Sequence, residues 1–258
     1  MISKRIFKVT SYYVSILALS LLVTSCGLLG SDSEDDKAEL RDGLSQEIWN
    51  IVDEQLLSTF EDSLSMTIHR GDNPPDIAGA LLGNQAKAKV SANTGVTVVM
   101  KPFELVETIV PNDPCADCSW YDLYIKFDEQ DVENNEVTIR MRHAEAPEIV
   151  PEGGFISGDG NNFSVFIEQT QDFDGQIVEL VSLFSGTVTS AGISDPQLAG
   201  VMVENSGVPG RVPNGTGRSY KDGNDLAELD EWPEVNRKII EAESNRIWSI
   251  FRGTFLNN

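Results

Sequence analysis

The chain has 258 residues, 41 of them acidic against 19 basic, for a net charge of −22 at neutral pH. That balance excludes nucleic acid as a partner, because phosphate backbones are held by basic patches, and it repels anionic lipid headgroups. An apolar content of 40% is enough for a core, and the length suits one β-rich domain better than two.

The first 26 residues open with Lys4, Arg5 and Lys8, run through an apolar stretch from Tyr12 to Val23, and end in Val23-Thr24-Ser25-Cys26. The apolar stretch is shorter than the roughly 20 residues that cross a bilayer as a helix. A basic flank and small residues before a cysteine fit a cleaved export signal. The pattern resembles a bacterial lipoprotein signal peptide with its lipobox; the alternative is an ordinary cleaved signal that happens to end in cysteine. The resemblance implies that residues 1–25 are removed and that Cys26 carries a diacylglyceryl thioether, with a third acyl chain on its amine. Two or more chains anchor durably where one does not. Gly27, in place of an aspartate, implies the outer membrane as destination, on its periplasmic or its cell-surface face. Loss of Lys4, Arg5 and Lys8 takes the charge from −22 to −25, so the lipid itself must hold the protein to the membrane.

Residues 26–40 contain Ser31-Asp32-Ser33-Glu34-Asp35-Asp36. Like charges keep such a run extended, so it reads as a solvated tether; it also resembles acidic tags that carry some lipoproteins to the outer leaflet. Residues 41–258 form the single folded domain.

Ile48, Ile51, Val52, Leu56, Phe60 and Leu64 recur at helical spacing, which predicts a helix over about 44–64 that Asp53 starts or restarts as an N-cap. Gly71, Pro74 and Pro75 stop it. From Ile77 the period is expected to become two. Val96, Val98 and Met100 alternate with polar residues, as do Tyr121, Leu123, Ile125 and Phe127, then Val137, Ile139 and Met141, then Phe163, Val165 and Ile167. The run Gln176 to Val188 ends near Ser185-Gly186, where a bend or bulge is expected. Turn signals at 128–135, 158–161 and 172–175 separate these runs.

About eight strands between Ile77 and Tyr220, without helical crossovers, predict a mainly β fold: an antiparallel up-and-down barrel. Eight strands enclose a space that side chains fill or that admits one small ligand. After Pro233, the apolar stripe of Val235, Ile239, Ile240, Ile247, Ile250 and Phe251 predicts a C-terminal helix stopped by Gly253.

The segments Gly71-Asp72-Asn73-Pro74-Pro75-Asp76-Ile77-Ala78-Gly79 and Ile156-Ser157-Gly158-Asp159-Gly160-Asn161-Asn162-Phe163-Ser164-Val165 stand out. With Ser185-Gly186, Gly192-Ile193, Arg218 and Lys221-Asp222-Gly223-Asn224, they resemble a group of uncharacterised Gram-negative bacterial lipoproteins with a lipocalin-like look. The likeness covers about residues 52–226. It implies a fold and carries no catalytic residue across.

Few residues invite chemistry. Cys115-Ala116-Asp117-Cys118 has redox spacing, but it sits in a Pro- and Asp-rich loop of an exported chain, where a disulfide staple is expected. Zinc needs four ligands and the chain has two histidines. His143 continues the Val137-Ile139-Met141 face and points inward by alternation, whereas His69 reads as a loop residue. No Ser-His or Cys-His arrangement of recognisable context exists for a hydrolase. Asp222, Asn224, Asp225, Glu228 and Asp230 depart from a calcium-loop pattern and read as a solvated turn leading into the last helix.

No enzyme, cofactor or metal is therefore expected. The first function expected is a binding module for a small apolar or amphipathic ligand lined by Tyr121, Phe127, Met141, His143 and Phe163. The other is an envelope interaction protein with a filled barrel that binds a protein or glycan through its surface, where Trp120, Tyr124 and Phe166 fall on the polar phase of their strands.

Overall fold

The structure, a computed structural model, describes residues 40–83, 95–118, 120–143, 152–173 and 175–233. The expected leader, Cys26, nearly all of the tether and the helix expected after Pro233 lie outside the described residues.

Two short helices replace the one long helix expected. In α1 (Gln46–Ile51) the Ser45 side chain accepts from the Ile48 N–H, and in α2 (Glu54–Ser58) the Asp53 side chain accepts from the Leu56 N–H. Each cap satisfies an end N–H that would otherwise lack a partner. Asp53 thus restarts the helix, and α2 runs on into a π-type turn at Thr59–Ser63. The chain then crosses residues 65–71, forms the two-residue β1 (Asp72–Asn73) and enters α3 (Ile77–Gly83). Among the described residues, the alternation expected from Ile77 is therefore first met at Val96. Asp76 decides this locally: its carboxylate accepts from the Gly79 N–H at 2.8 Å and its carbonyl from the Ala80 N–H at 2.8 Å. The residues that follow Ile77 in α3 contain no further β-branched side chain to favour a strand.

Ten more strands follow: β2 (Val96–Met100), β3 (Phe103–Thr108), β4 (Leu123–Asp131), β5 (Glu136–His143), β6 (Glu152–Asp159), β7 (Asn162–Phe173), β8 (Gln176–Val188), β9 (Gly192–Asn205), β10 (Gly217–Asp222) and β11 (Leu226–Leu229). Among the described residues nine strands, β2 to β10, thus stand between Ile77 and Tyr220, where about eight were expected, with β1 before them and β11 after. All pairings are antiparallel except β1 on β6. Strands β4 to β9 pair in sequence order, β2 joins β4, and β11 joins both β2 and β9, which closes a ring of eight strands.

The meander is not uniform, because β9 changes partner along its length. Gly192–Ser194 pair with β11, whereas Gln197–Val201 pair with β10, which carries β3 on its other side. The break falls at Asp195-Pro196, where Asp195 has a positive φ of 48° and proline has no N–H to offer a ladder. Opposite it, β8 bulges between Ser185 and Thr187, as Ser185-Gly186 led us to expect. A Cβ on Gly186 would stand 2.4 Å from Ile193 Cγ2, so any larger residue there would have to displace Ile193.

Two apolar clusters result. The first fills the ring with Val98, Ile125, Phe127, Ile139, Phe163, Val165, Leu180 and Phe184 and continues to Phe103 and Tyr220 on the branching strands β3 and β10. Helix α3 touches β2, β4 and β8 and contributes Ile77 and Leu81 to that same cluster, so it lies across one mouth of the ring. The second cluster lies outside β7, β8 and β9, where Phe166, Val181, Leu183, Ala199 and Val201 are covered by Leu44, Ile48, Val52, Leu57, Phe60 and Leu64. This double cover explains why β8 reads as a nearly continuous apolar run.

A polar row holds the covering layer in place. Ser157, Ser164, Ser185 and Gln197 are in register across β6 to β9. Gly71 N–H donates to Ser157 Oγ at 3.1 Å, His69 N–H to Ser164 Oγ at 2.8 Å, and Thr67 N–H to Gln197 Oε1 at 2.8 Å. Alternate residues of the strap at 65–71 are thereby bonded crosswise to β6, β7 and β9, each of the three bonds contributing about 1 kcal/mol net.

Candidate functional site

The residues expected to line a ligand space lie in different settings. Phe127 and Phe163 are 1% and 0% exposed, and their rings meet edge to face at 6.2 Å. Phe184 completes the layer at 6.0 Å from Phe127 and 5.8 Å from Phe163. These spacings are those of mutually packed aromatic rings. Met141 is buried in the same cluster. Tyr121 is not on a strand at all: β4 begins at Leu123, and Tyr121 is 78% exposed. Pairing with β2 begins only at Leu123 opposite Met100, so nothing imposes strand alternation on the two preceding residues.

His143 ends β5 with Nδ1 at 3.1 Å from the Asp122 carbonyl, and its ring lies 5.9 Å from Phe103 and 6.5 Å from Tyr121. Burial lowers its pKa, opposed by the backbone groups of Asp122 and Tyr121. The imidazole is neutral at pH 7, with aromatic neighbours and a backbone carbonyl.

A second aromatic layer has no counterpart in the expected ligand set. Phe103 stacks on Tyr220 at 4.6 Å, and Trp120 meets Tyr220 edge-on at 5.0 Å. Near it lies an ion pair between residues 105 apart in sequence. Arg218 Nε donates to Asp113 Oδ2 at 2.7 Å and Nη2 to Oδ1 at 2.6 Å, with both side chains 1–2% exposed. Asp113 also accepts from Thr108 Oγ1 at 2.6 Å and from the Cys115 N–H at 2.9 Å. Burial works against its ionisation, but the bonds from Arg218, Thr108 and Cys115 prevail and bring the carboxyl to about 2. Burial drives the Tyr220 phenol far above its ordinary range, so it is neutral. This buried fork fastens the 109–118 loop, in which Cys115 and Cys118 are joined as a disulfide, to β10. The local sequence holds no signal of so distant a pair.

The acidic turn at 222–225 joins β10 to β11 rather than leading into a last helix. Asp222 is fully buried and not solvated: Oδ2 accepts from the Lys101 N–H at 2.5 Å and Oδ1 from the Asn224 N–H at 2.8 Å. Its oxygens serve backbone donors, and no cluster of metal ligands occurs among the described residues. The turn at 158–161 is a hairpin, with Gly160 at a φ of 63°.

Of the aromatics expected on the outer surface, Phe166 is fully buried beneath α1 and α2, and Trp120 packs on Tyr220. The outer face instead carries a groove between the helices and β9. A cavity of about 460 Å³ is lined by Trp49, Ile51, Leu56, Thr59, Val201 and Val203, among others. A second of about 310 Å³ shares Trp49, Val52, Asp53 and Gln55 with it and adds Arg41 and Glu54. Arg41 lies 4.0 Å above the Trp49 ring and donates to Glu54 at 2.5 Å. No protein-family model, curated protein or solved structure matches the chain.

Proposed function

We propose that this chain is a lipid-anchored, non-catalytic binding module of the bacterial envelope, held at the outer membrane through Cys26. In this reading its strand ring is a lipocalin-like barrel with a filled interior, and it meets a protein or glycan partner through its outer surface. The observation that carries the reading is the contact of Phe127, Phe163 and Phe184 inside the ring, beneath the α3 residues Ile77 and Leu81. The apolar side chains that would greet a small ligand are packed on one another, and burial of each phenyl group contributes about 1.5–3 kcal/mol to folding. The groove outside the ring leaves a surface for a partner.

Titration of the acyl-free Cys26→Ser chain with N-phenyl-1-naphthylamine tests this. The dye's emission stays at its value in water if the interior is filled. Saturable, blue-shifted emission, abolished by Met141→Glu, would restore carriage of an apolar ligand.

A further inference from the structure

The groove outside β9 has a chemistry of its own. A bulge between Glu179 and Leu180 on β8 and their partners Glu204 and Met202 leaves Val203 as the extra residue of β9. Bulges re-aim side chains in this way. Val203 is 38% exposed and lines the groove. Glu204 follows it and accepts from Asn214 Nδ2 at 3.3 Å, beside the lining residue Gly215. Glu204 is also directly opposite Glu179. One strand away, Glu168 shares the rung of Val181 and Val201.

By register and by the Asn214 bond the three carboxylates stand beside the Val203 and Gly215 side of the groove, where Val201, Met202 and Val203 give it an apolar floor, without lining it themselves. Burial raises the pKa of Glu179, and the hydrogen bond with Glu168 and the charges of Glu168 and Glu204 raise it further. Among the described residues no cation pairs with any of the three. At the other end, Arg41 shows how a cation sits here, over the Trp49 ring and against Glu54. Shape and charge together describe an occupant with apolar and basic side chains in alternation.

We propose that this groove receives a basic amphipathic segment of a partner protein, an apolar side chain entering between Trp49 and Val203 and a cationic one settling on Glu179 and Glu204. The inference rests on the reading that the outer surface is the one used. An acidic protein attracts any cationic peptide weakly at low salt, so specificity must come from the apolar contact as well as the charge.

The test uses the full acyl-free Cys26→Ser chain and a fluorescein-labelled octapeptide of alternating arginine and leucine, read by anisotropy at near-physiological salt. Binding is expected to be about tenfold weaker for the arginine–serine counterpart, for Val203→Ser and for the Glu179→Gln, Glu204→Gln double variant. Trp49→Ala is expected to weaken it at least as much. Equal binding of the two peptides, or unchanged binding by the exposed-site variants with an unchanged circular dichroism spectrum, overturns the proposal. A photo-reactive benzoylphenylalanine in place of Val203 then identifies the occupant. Cross-links to the arginine–leucine peptide support the proposal, whereas cross-links confined to residues 234–258 of the same chain, or to a second copy, overturn it. None of these results bears on whether the ring interior is filled, which the dye titration reads separately.

Discussion

Replacement of Arg218 by methionine lowers the free energy of unfolding by about 3–5 kcal/mol. The size follows from what the substitution leaves behind: Asp113, 2% exposed, keeps Thr108 and the Cys115 N–H but loses both guanidinium bonds. An unpaired buried carboxylate is costly, so loss of one partner harms more than loss of both. Arg218→Met with Asp113→Leu therefore recovers much of the stability lost by Arg218→Met alone. The pair also has an acid signature. The Asp113 carboxyl falls from its ordinary 3.8 to about 2, so its stabilisation is complete above about pH 4 and is lost as pH falls through 2, amounting to roughly 2 kcal/mol. Urea midpoints at pH 7, 4 and 2 read all of this. A midpoint unchanged at pH 7 in Arg218→Met would remove the buried fork from the account.

Phe163→Ala is expected to cost about 3–5 kcal/mol, within the range for a phenyl group removed from a rigid core. Phe163 is wholly buried and touches Phe127 and Phe184 at ring distance, and strands on every side limit how far the site can collapse. The hole left is apolar and dry, and such holes take up benzene. Benzene should then raise the melting temperature of Phe163→Ala and leave that of the parent chain unchanged. A parent chain that benzene stabilises equally would mean that space exists in the ring before any side chain is removed.

What is legible in the sequence follows from local physics. The alternation of Val96-Val98-Met100, Leu123-Ile125-Phe127 and Phe163-Val165-Ile167 leads directly to β2, β4 and β7, and Ser185-Gly186 to the bulge in β8. Asp53 shows as a helix start because its side chain has one local partner, the Leu56 N–H. Alternation misleads at Ile77, where Asp76 caps a helix, and at Tyr121, which precedes its strand. It also gives no sign of β3, β10 and β11. The branch at Asp195-Pro196, which lets one strand serve two neighbours, looks like a turn in sequence, and only the pairing shows that the strand continues through it.

The site residues divide in the same way. Phe127, Phe163 and Met141 lie on the inward face that alternation predicts, yet the pattern of a strand is the same whether its face meets a ligand or other side chains. Phe166 falls on the polar phase of its strand and is nevertheless buried, because its cover, from Leu44 to Leu64, arrives from a distant part of the chain. The Asp113–Arg218 pair and the Ser157–Ser164–Gln197 row are illegible for the same reason: each joins residues that neither periodicity nor short motifs bring together.

The filled ring is most directly tested by native mass spectrometry of the acyl-free Cys26→Ser chain, purified from the envelope compartment without detergent. The expected result is the mass of the polypeptide and nothing more. A stoichiometric small molecule, released when the chain is denatured and excluded when Phe163 is replaced by tryptophan, would contradict it.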